Sequence, residues 1–233
     1  MSFNEKYDSF YRSEVQREFT DIEHGTWPKN RIEAILYFKP TGHRVLDIGC
    51  GDGNLLFQLR RQFDELWGLE FSAERLRQAR AYLKDLNFNG LGGSAEKIPE
   101  IPSESIDCIV TADVIEHIPD VYAATSEMYR ILKPGGILLI NTPNIAFIKK
   151  RMLLTCGRFP STSQPNEGLG NDILFDGGHL HYFTYRSLTG LLKKYGFVIA
   201  RQIGFGKFGR IHNALPSLTS VGVQLYATKP NQY

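Results

Sequence analysis

The sequence predicts an α/β fold: a doubly wound, mostly parallel seven-stranded sheet, with helices before it and an insertion after the fifth strand. Three observations predict it. From Arg44 onward, short apolar runs alternate with longer amphipathic ones. The first run, Val45-Leu46-Asp47-Ile48, passes directly into Gly49-Cys50-Gly51-Asp52-Gly53, with glycine at every second position. The alternation then pauses once, over a Pro- and Gly-containing stretch at 143–183, before it resumes.

Phe3, Tyr7, Phe10 and Tyr11 recur at helical spacing, and a second helix is expected from Lys29 to Tyr37, ended by Lys39-Pro40-Thr41-Gly42. Val45–Ile48 is the first strand and Leu55–Phe63 the helix after it. Leu66–Leu69 and Ala73–Leu83 repeat the pair, and a weak third strand lies near Leu91. Ile106–Thr111 is the fourth strand. The helix Val121–Leu132 follows and stops at Lys133-Pro134-Gly135-Gly136. Ile137–Asn141 is the fifth strand. The 143–183 excursion offers one short helix around Ile145–Leu154, and loops of that length are commonly functional. Thr184 caps a helix from Tyr185 to Tyr195 that Gly196 ends, and strands at Phe197–Ile203 and Val221–Thr228 complete the sheet. The organisation expected is one domain of four parts: an N-terminal helical lid (1–40), a cofactor-binding core (41–142), a substrate-side insertion (143–183) and a C-terminal helix with strands (184–233).

Composition restricts the function classes. Apolar residues make up 42% of the 233, ample for a core. The 27 basic and 25 acidic side chains nearly cancel, so the overall charge marks neither a nucleic-acid nor a membrane binder. No apolar run approaches the roughly 18 residues that cross a bilayer, and the N-terminus lacks the apolar stretch of a signal peptide. Cys50, Cys108 and Cys156 are widely spaced, as expected for reduced thiols of a cytoplasmic protein.

A strand that enters a glycine turn and then a helix holds its ligand at the carboxyl ends of the strands. A nicotinamide dinucleotide would require Gly or Ala where Asn54 stands. It would also rest its pyrophosphate beside Asp47 and Asp52, which is repulsive. A ligand with a cationic centre and an ammonium group suits those carboxylates.

VLDIGCGDG resembles the first motif of class I S-adenosylmethionine-dependent methyltransferases, whose fold is Rossmann-like. Glu70 ends the second strand 23 residues after Asp47, where that family keeps a carboxylate for both ribose hydroxyls. Asp107 with its apolar run and Leu132-Lys133-Pro134-Gly135-Gly136 are similar too, as is HLHYFTYRSLTGLLKKYGF at 179–197. The resemblance implies S-adenosyl-L-methionine as co-substrate, bound by Asp47, Gly49, Cys50, Gly51, Gly53, Glu70, Phe71, Ala95, Glu96, Asp113 and Val114. Ser94 stands where the family often has Asp, so Ala95 and Glu96 become the expected contacts to the adenine edge.

TADVIEHIPD (111–120) then falls beside the reactive methyl group. His117 is the expected general base, since an imidazole suits proton removal at neutral pH. The ubiquinone-biosynthesis and small-RNA O-methyltransferases carry E-x-x-E-H here, which with a later His can bind Mg²⁺. That implies an alternative metal set of Asp113, Glu116, His117 and His181, with His179 close by in sequence, although Asp113 is one methylene shorter than Glu. A third reading makes Glu116 and His117 braces of the next helix. His179 and His181 flank Leu180, and only one of them is expected to face the pocket. Tyr7, Tyr11 and Trp27 form either an apolar lid or a docked amphipathic helix. Lys149, Lys150, Arg151 and Arg158 hint at an anionic acceptor such as a nucleotide-linked sugar. The leading expectation is O-methylation of a small molecule (a sugar, quinol or secondary metabolite). A non-catalytic module that binds the cofactor or its demethylated product is the rival, and a nicotinamide-dependent oxidoreductase the weakest.

Overall fold

The computed structural model describes residues 19–22, 25–163 and 178–231. The stripe at Phe3, Tyr7, Phe10 and Tyr11 and the middle of the 143–183 insertion lie outside them. In chain order the elements are α1 (Arg31–Leu36), β1 (Arg44–Ile48), α2 (Asn54–Leu59), β2 (Glu65–Glu70), α3 (Ala73–Tyr82) and β3 (Phe88–Gly92). Then come β4 (Ile106–Ala112), a 3₁₀ turn (Ile115–His117), α4 (Val121–Ile131), β5 (Leu132–Pro143) and α5 (Ile148–Thr155). The chain closes with α6 (Tyr185–Lys194), β6 (Val198–Ile203), α7 (Ile211–Ala214), α8 (Pro216–Thr219) and β7 (Gly222–Thr228).

The sheet order is β3-β2-β1-β4-β5-β7-β6. All neighbouring pairs are parallel except those of β7, which runs antiparallel to both β5 and β6. Both faces are covered, which is why the strands read as continuous apolar runs. On one face Ile109, Leu138, Ile140 and Leu225 pack with Met128 of α4 and Leu188 and Leu192 of α6. On the other, Val45, Cys108, Val110 and Leu139 pack with Ile35 of α1 and Leu55, Leu56 and Leu59 of α2.

Polar side chains start the helices. Asn30 accepts from Glu33 N, Ser72 from Arg75 N, and Asp120 from Tyr122 N and Ala123 N. Thr184 forms a reciprocal capping box with Ser187, as its position predicted. Several bounds differ from expectation, and the helix after β1 ends at Leu59 rather than Phe63. β5 begins at Leu132, not Ile137, because Leu132 pairs with Ile106 and a register shift before Cys108 absorbs the Lys133-Pro134-Gly135-Gly136 turn. Helices α7 and α8, four residues each, are too short to show a period.

The order reverses direction between β1 and β4. The connections from those two strands leave to opposite sides, so their carboxyl ends open a crevice. Into it run the glycine turn after β1 and the 113–118 segment after β4. Among the described residues, no helix is long and apolar enough to cross a membrane. Cys50 and Cys108 are buried and Cys156 exposed, none of them bridged.

Candidate active site

The glycine turn needs its glycines. Gly49, Gly51 and Gly53 have φ of +76°, +57° and +90°, a region other L-residues rarely adopt. A β-carbon on Gly49 would also stand 2.3 Å from Cγ2 of Val114, so the turn and the post-β4 segment close on each other only with glycine there. Gly49 N and Cys50 N both donate to Leu69 O, at 2.8 and 3.1 Å. Glu70, buried at the end of β2, accepts from Gly51 N through Oε2 and from Ser72 N through Oε1, both at 2.8 Å. Each oxygen keeps lone-pair capacity for a further donor, so a ribose diol fits this carboxylate. Phe71 beside it is half exposed and offers a flat apolar face.

The electrostatics of this floor are acidic. Burial, then the charges of Glu70 and Asp52, push the Asp47 carboxyl well above its usual range, with Arg75 opposing. The Cys50 thiol is pushed up by burial and by the charges of Asp47 and Glu70. A cationic ligand would relieve both effects and a pyrophosphate would aggravate them. The residues therefore fit S-adenosylmethionine, with its sulfonium and ammonium groups, better than a dinucleotide.

In the loop after β3 Ala95 is buried, while Glu96, the other expected adenine contact, uses both oxygens within the protein. Oε1 accepts from Asp120 N and Oε2 from Ser94 Oγ, each at 2.8 Å. The Glu96 side chain thus braces the start of α4 against the post-β3 loop.

Asp113 sits at φ +54°, an uncommon conformation for a residue with a β-carbon, and its N–H donates to Asn141 O. Its Oδ2 lies 2.5 Å from Arg31 Nη1, so the first turn of α1 is tied to the crevice. No motif in the sequence marks Arg31. One signal could have found it: a cation in the first turn of a helix opposes the helix dipole and needs another reason to be there. Arg31→Ala is expected to lower cofactor affinity severalfold by freeing Asp113. Its melting temperature should stay within a few degrees of wild type, because half-exposed ion pairs contribute only about 0–1 kcal/mol. Calorimetric titration and thermal melts check the two halves.

Beyond Asp113, the 3₁₀ turn presents Glu116 and His117. The backbone carbonyl of Glu116 accepts from Leu180 N and His181 N, which brings the late histidine segment against this turn. His117 Nδ1 lies 3.1 Å from Gly178 O, and the His117 ring meets His179 edge-on with centroids 4.5 Å apart. One ligand atom from each of Glu116, His117 and His179 lies within 4.8 Å of the others. The remaining members of the alternative metal set point elsewhere: Asp113 to Arg31, and His181 Nε2 to the carbonyls of Ile118 and Pro119. Residues 179 and 181 lie on one side of an extended segment, but two residues of rise carry them to different atoms.

Glu116 is the strained member. It is buried, its Oε2 accepts from Thr142 Oγ1 at 2.8 Å, and its Oε1 finds no hydrogen-bond partner among the described residues. Burial first, then the charge of Asp113, pushes the carboxyl up to about 8 from 4.5. Between those two values the folded state holds a proton that the unfolded state has released, so stability falls as pH rises through that window. Glu116→Gln cannot ionise. Its melting temperature relative to wild type is therefore expected to climb from pH 5 to pH 8 and to level off above, in melts over a pH series. A flat difference would contradict this.

The insertion cations are mostly at the surface. Lys149 and Arg151 are exposed, Arg151 Nε donating to Ala146 O, while Lys150 donates to Ser161 O. Trp27 is buried and donates from Nε1 to Gly204 O at 2.9 Å, so this aromatic is docked on the core.

A family model described as a methyltransferase domain matches residues 3–202. The chain is 28% identical over 166 residues to a probable S-adenosylmethionine-dependent methyltransferase of Mycolicibacterium smegmatis, covering 70% of this chain and 55% of that one. It is 29% identical over 105 residues to a ubiquinone biosynthesis O-methyltransferase of Alkalilimnicola ehrlichii, covering 44% and 42%. The chain thus spans about half the length of the curated relatives it matches. In fold it is similar to a solved SAM-dependent methyltransferase of Thermotoga maritima, described as a possible histamine N-methyltransferase. The TM-score is 0.60 at 22% identity, covering 85% of this chain and 87% of that one.

Proposed function

We infer the reaction from one premise: the chain belongs to the class I S-adenosylmethionine-dependent methyltransferases. It transfers the sulfonium methyl group to a small molecule, and the acceptor atom is a hydroxyl oxygen of a sugar, quinol or secondary metabolite. The reaction is an in-line displacement. The hydroxyl oxygen forms the new bond to the methyl carbon, the carbon–sulfur pair returns to sulfur to leave a neutral thioether, and the hydroxyl proton goes to His117. One observation carries the base assignment. With Nδ1 facing the Gly178 carbonyl, the ring proton sits on Nδ1 and Nε2 is the basic nitrogen. The choice of oxygen is supported by the name of the ubiquinone biosynthesis relative. Glu70 holds the ribose, Asp47 lies toward the cationic end of the cofactor, Asp113 lines the pocket with its carboxylate held by Arg31, and Phe71 packs on the adenine.

Calorimetry with S-adenosylmethionine and NAD in parallel, followed by labelled-methyl turnover on a panel of sugars, quinols and phenols, tests this reading. Saturable binding of S-adenosylmethionine but not NAD is expected, with methyl transfer to a hydroxyl compound. Absence of saturable S-adenosylmethionine binding would overturn the reading. Binding with no turnover across the panel would favour the non-catalytic module.

A second reading has its own observation. Oε1 of buried Glu116, which has no partner among the described residues, forms with His117 and His179 a donor set that suits a divalent cation. Such a cation would acidify the acceptor hydroxyl and displace the Glu116 proton, so its binding would strengthen with pH. Activity that survives a strong chelator would remove this reading.

A further inference from the structure

We propose that this chain docks on an anionic lipid bilayer through the carboxyl edge of its sheet, using the apolar stripe Phe208, Ile211 and Leu215 and the cations that surround it. Phe208 lies in the turn before α7, Ile211 opens α7 and Leu215 follows it, and the three side chains are 75%, 70% and 62% exposed. Fraying does not account for that exposure, because the opposite side of the segment is anchored. His212 is buried, accepts from Phe208 N through Nε2 at 3.1 Å and pairs through Nδ1 with Thr219 O. Asn213 Oδ1 accepts from Gly204 N at 3.1 Å. The stripe is held outward by the loop that supports it, with Lys207 and Arg210 exposed beside it.

A second lobe of the same kind lies next to it. No residue of α5 is buried, and Ile148, Met152, Leu154 and Phe159 are exposed together with Lys149, Arg151 and Arg158. Asn144, just ahead of α5, donates from Nδ2 to Ser217 O and Ser220 O, so the two lobes share a root. Both belong to the edge where β5 and β6 end and β7 begins, the edge that also carries Glu70 and Asp113.

Charge selects the occupant. Residues 144–163 and 204–221 contain six Lys and Arg and no Asp or Glu. Counting Glu167, Asp172 and Asp176 of the segment between 163 and 178 still leaves this part of the chain positive, while the remainder has a slight acidic excess. Aliphatic and aromatic tips interleaved with long cationic stems are the composition of a lipid-interface surface, in which the stems reach the headgroups while the tips enter the acyl boundary. The core of a protein interface is depleted in lysine, which disfavours a second copy or another protein here.

Sedimentation of the full chain with vesicles tests the proposal. It should bind vesicles of phosphatidylcholine mixed with phosphatidylglycerol, bind phosphatidylcholine alone far more weakly, and be released by high salt. Lys207→Glu combined with Lys149→Glu should weaken partitioning about fivefold or more for each charge reversed. Phe208→Ser combined with Ile211→Ser should abolish it. Unchanged calorimetric binding of S-adenosylmethionine shows that the variants are folded. Equal partitioning to both vesicle types, no partitioning, or variants that bind like wild type would overturn the proposal. So would a dimer in analytical ultracentrifugation that Phe208→Ser with Ile211→Ser dissociates in the absence of vesicle binding. Vesicle binding is measured without cofactor, so its outcome is separate from the outcome for methyl transfer.

Discussion

Glu70→Ala is expected to weaken S-adenosylmethionine binding about 100-fold or more, because each hydrogen bond to a charged group contributes roughly 1.5–3 kcal/mol and the ribose diol makes two. The same substitution removes the acceptors of Gly51 N and Ser72 N. Those amides lie between a glycine turn and the start of α3, so their loss loosens the turn as well as the ribose grip. A buried N–H left unpaired costs about 1–3 kcal/mol, and the melting temperature should fall too. Glu70→Gln separates the two effects. It keeps one carbonyl oxygen for one of the amides, so most of the stability should return, but its NH₂ faces the other donor and affinity should recover only in part. Calorimetry on both variants, with circular dichroism to show folding, decides the matter. A folded Glu70→Ala protein that binds within threefold of wild type would show that the carboxylate serves the turn alone.

His117→Ala is expected to slow methyl transfer about 100- to 10,000-fold, the usual contribution of a positioned general base. Cofactor affinity should stay within a few-fold, because His117 faces Gly178 and His179 while the glycine turn meets Val114. His179→Ala discriminates between the two chemistries of the cluster. With His117 as base, His179 supports a ring and its loss should cost far less than the loss of His117. With a divalent cation, both imidazoles are ligands, so the two variants should fail alike and a chelator should reproduce the failure. Turnover equal to wild type in His117→Ala would remove both roles.

The acid–imidazole cluster also shows where sequence reasoning reaches its limit. TADVIEHIPD declared three chemical groups within five residues, and neighbours in sequence suggest one joint site. The backbone disperses them. Asp113 adopts a left-handed conformation that aims its carboxylate at Arg31, whereas Glu116 turns inward to Thr142 and His117 toward Gly178. Arg31 is 82 residues away from Asp113 and Thr142 is 26 away from Glu116, separations that no local pattern encodes. The balanced total of 27 bases and 25 acids hid a segregation in the same way, because a sum over the chain contains nothing about which side of the fold each charge occupies.

By itself the sequence determined the alternation of strand and helix, the helix caps, the glycine turn and the acidic partner at the end of the second strand. Each of these follows from local physics: backbone conformations only glycine tolerates, side chains that satisfy unpaired amides, and apolar runs whose period selects strand or helix. Tertiary structure alone decided that β7 inserts antiparallel between β5 and β6, that Arg31 closes on Asp113, that His179 and not His181 joins His117, and that burial pushes the Glu116 carboxyl up. Those outcomes depend on burial and on distances across the fold, and desolvation and Coulomb interactions exist only once the chain has brought distant groups together.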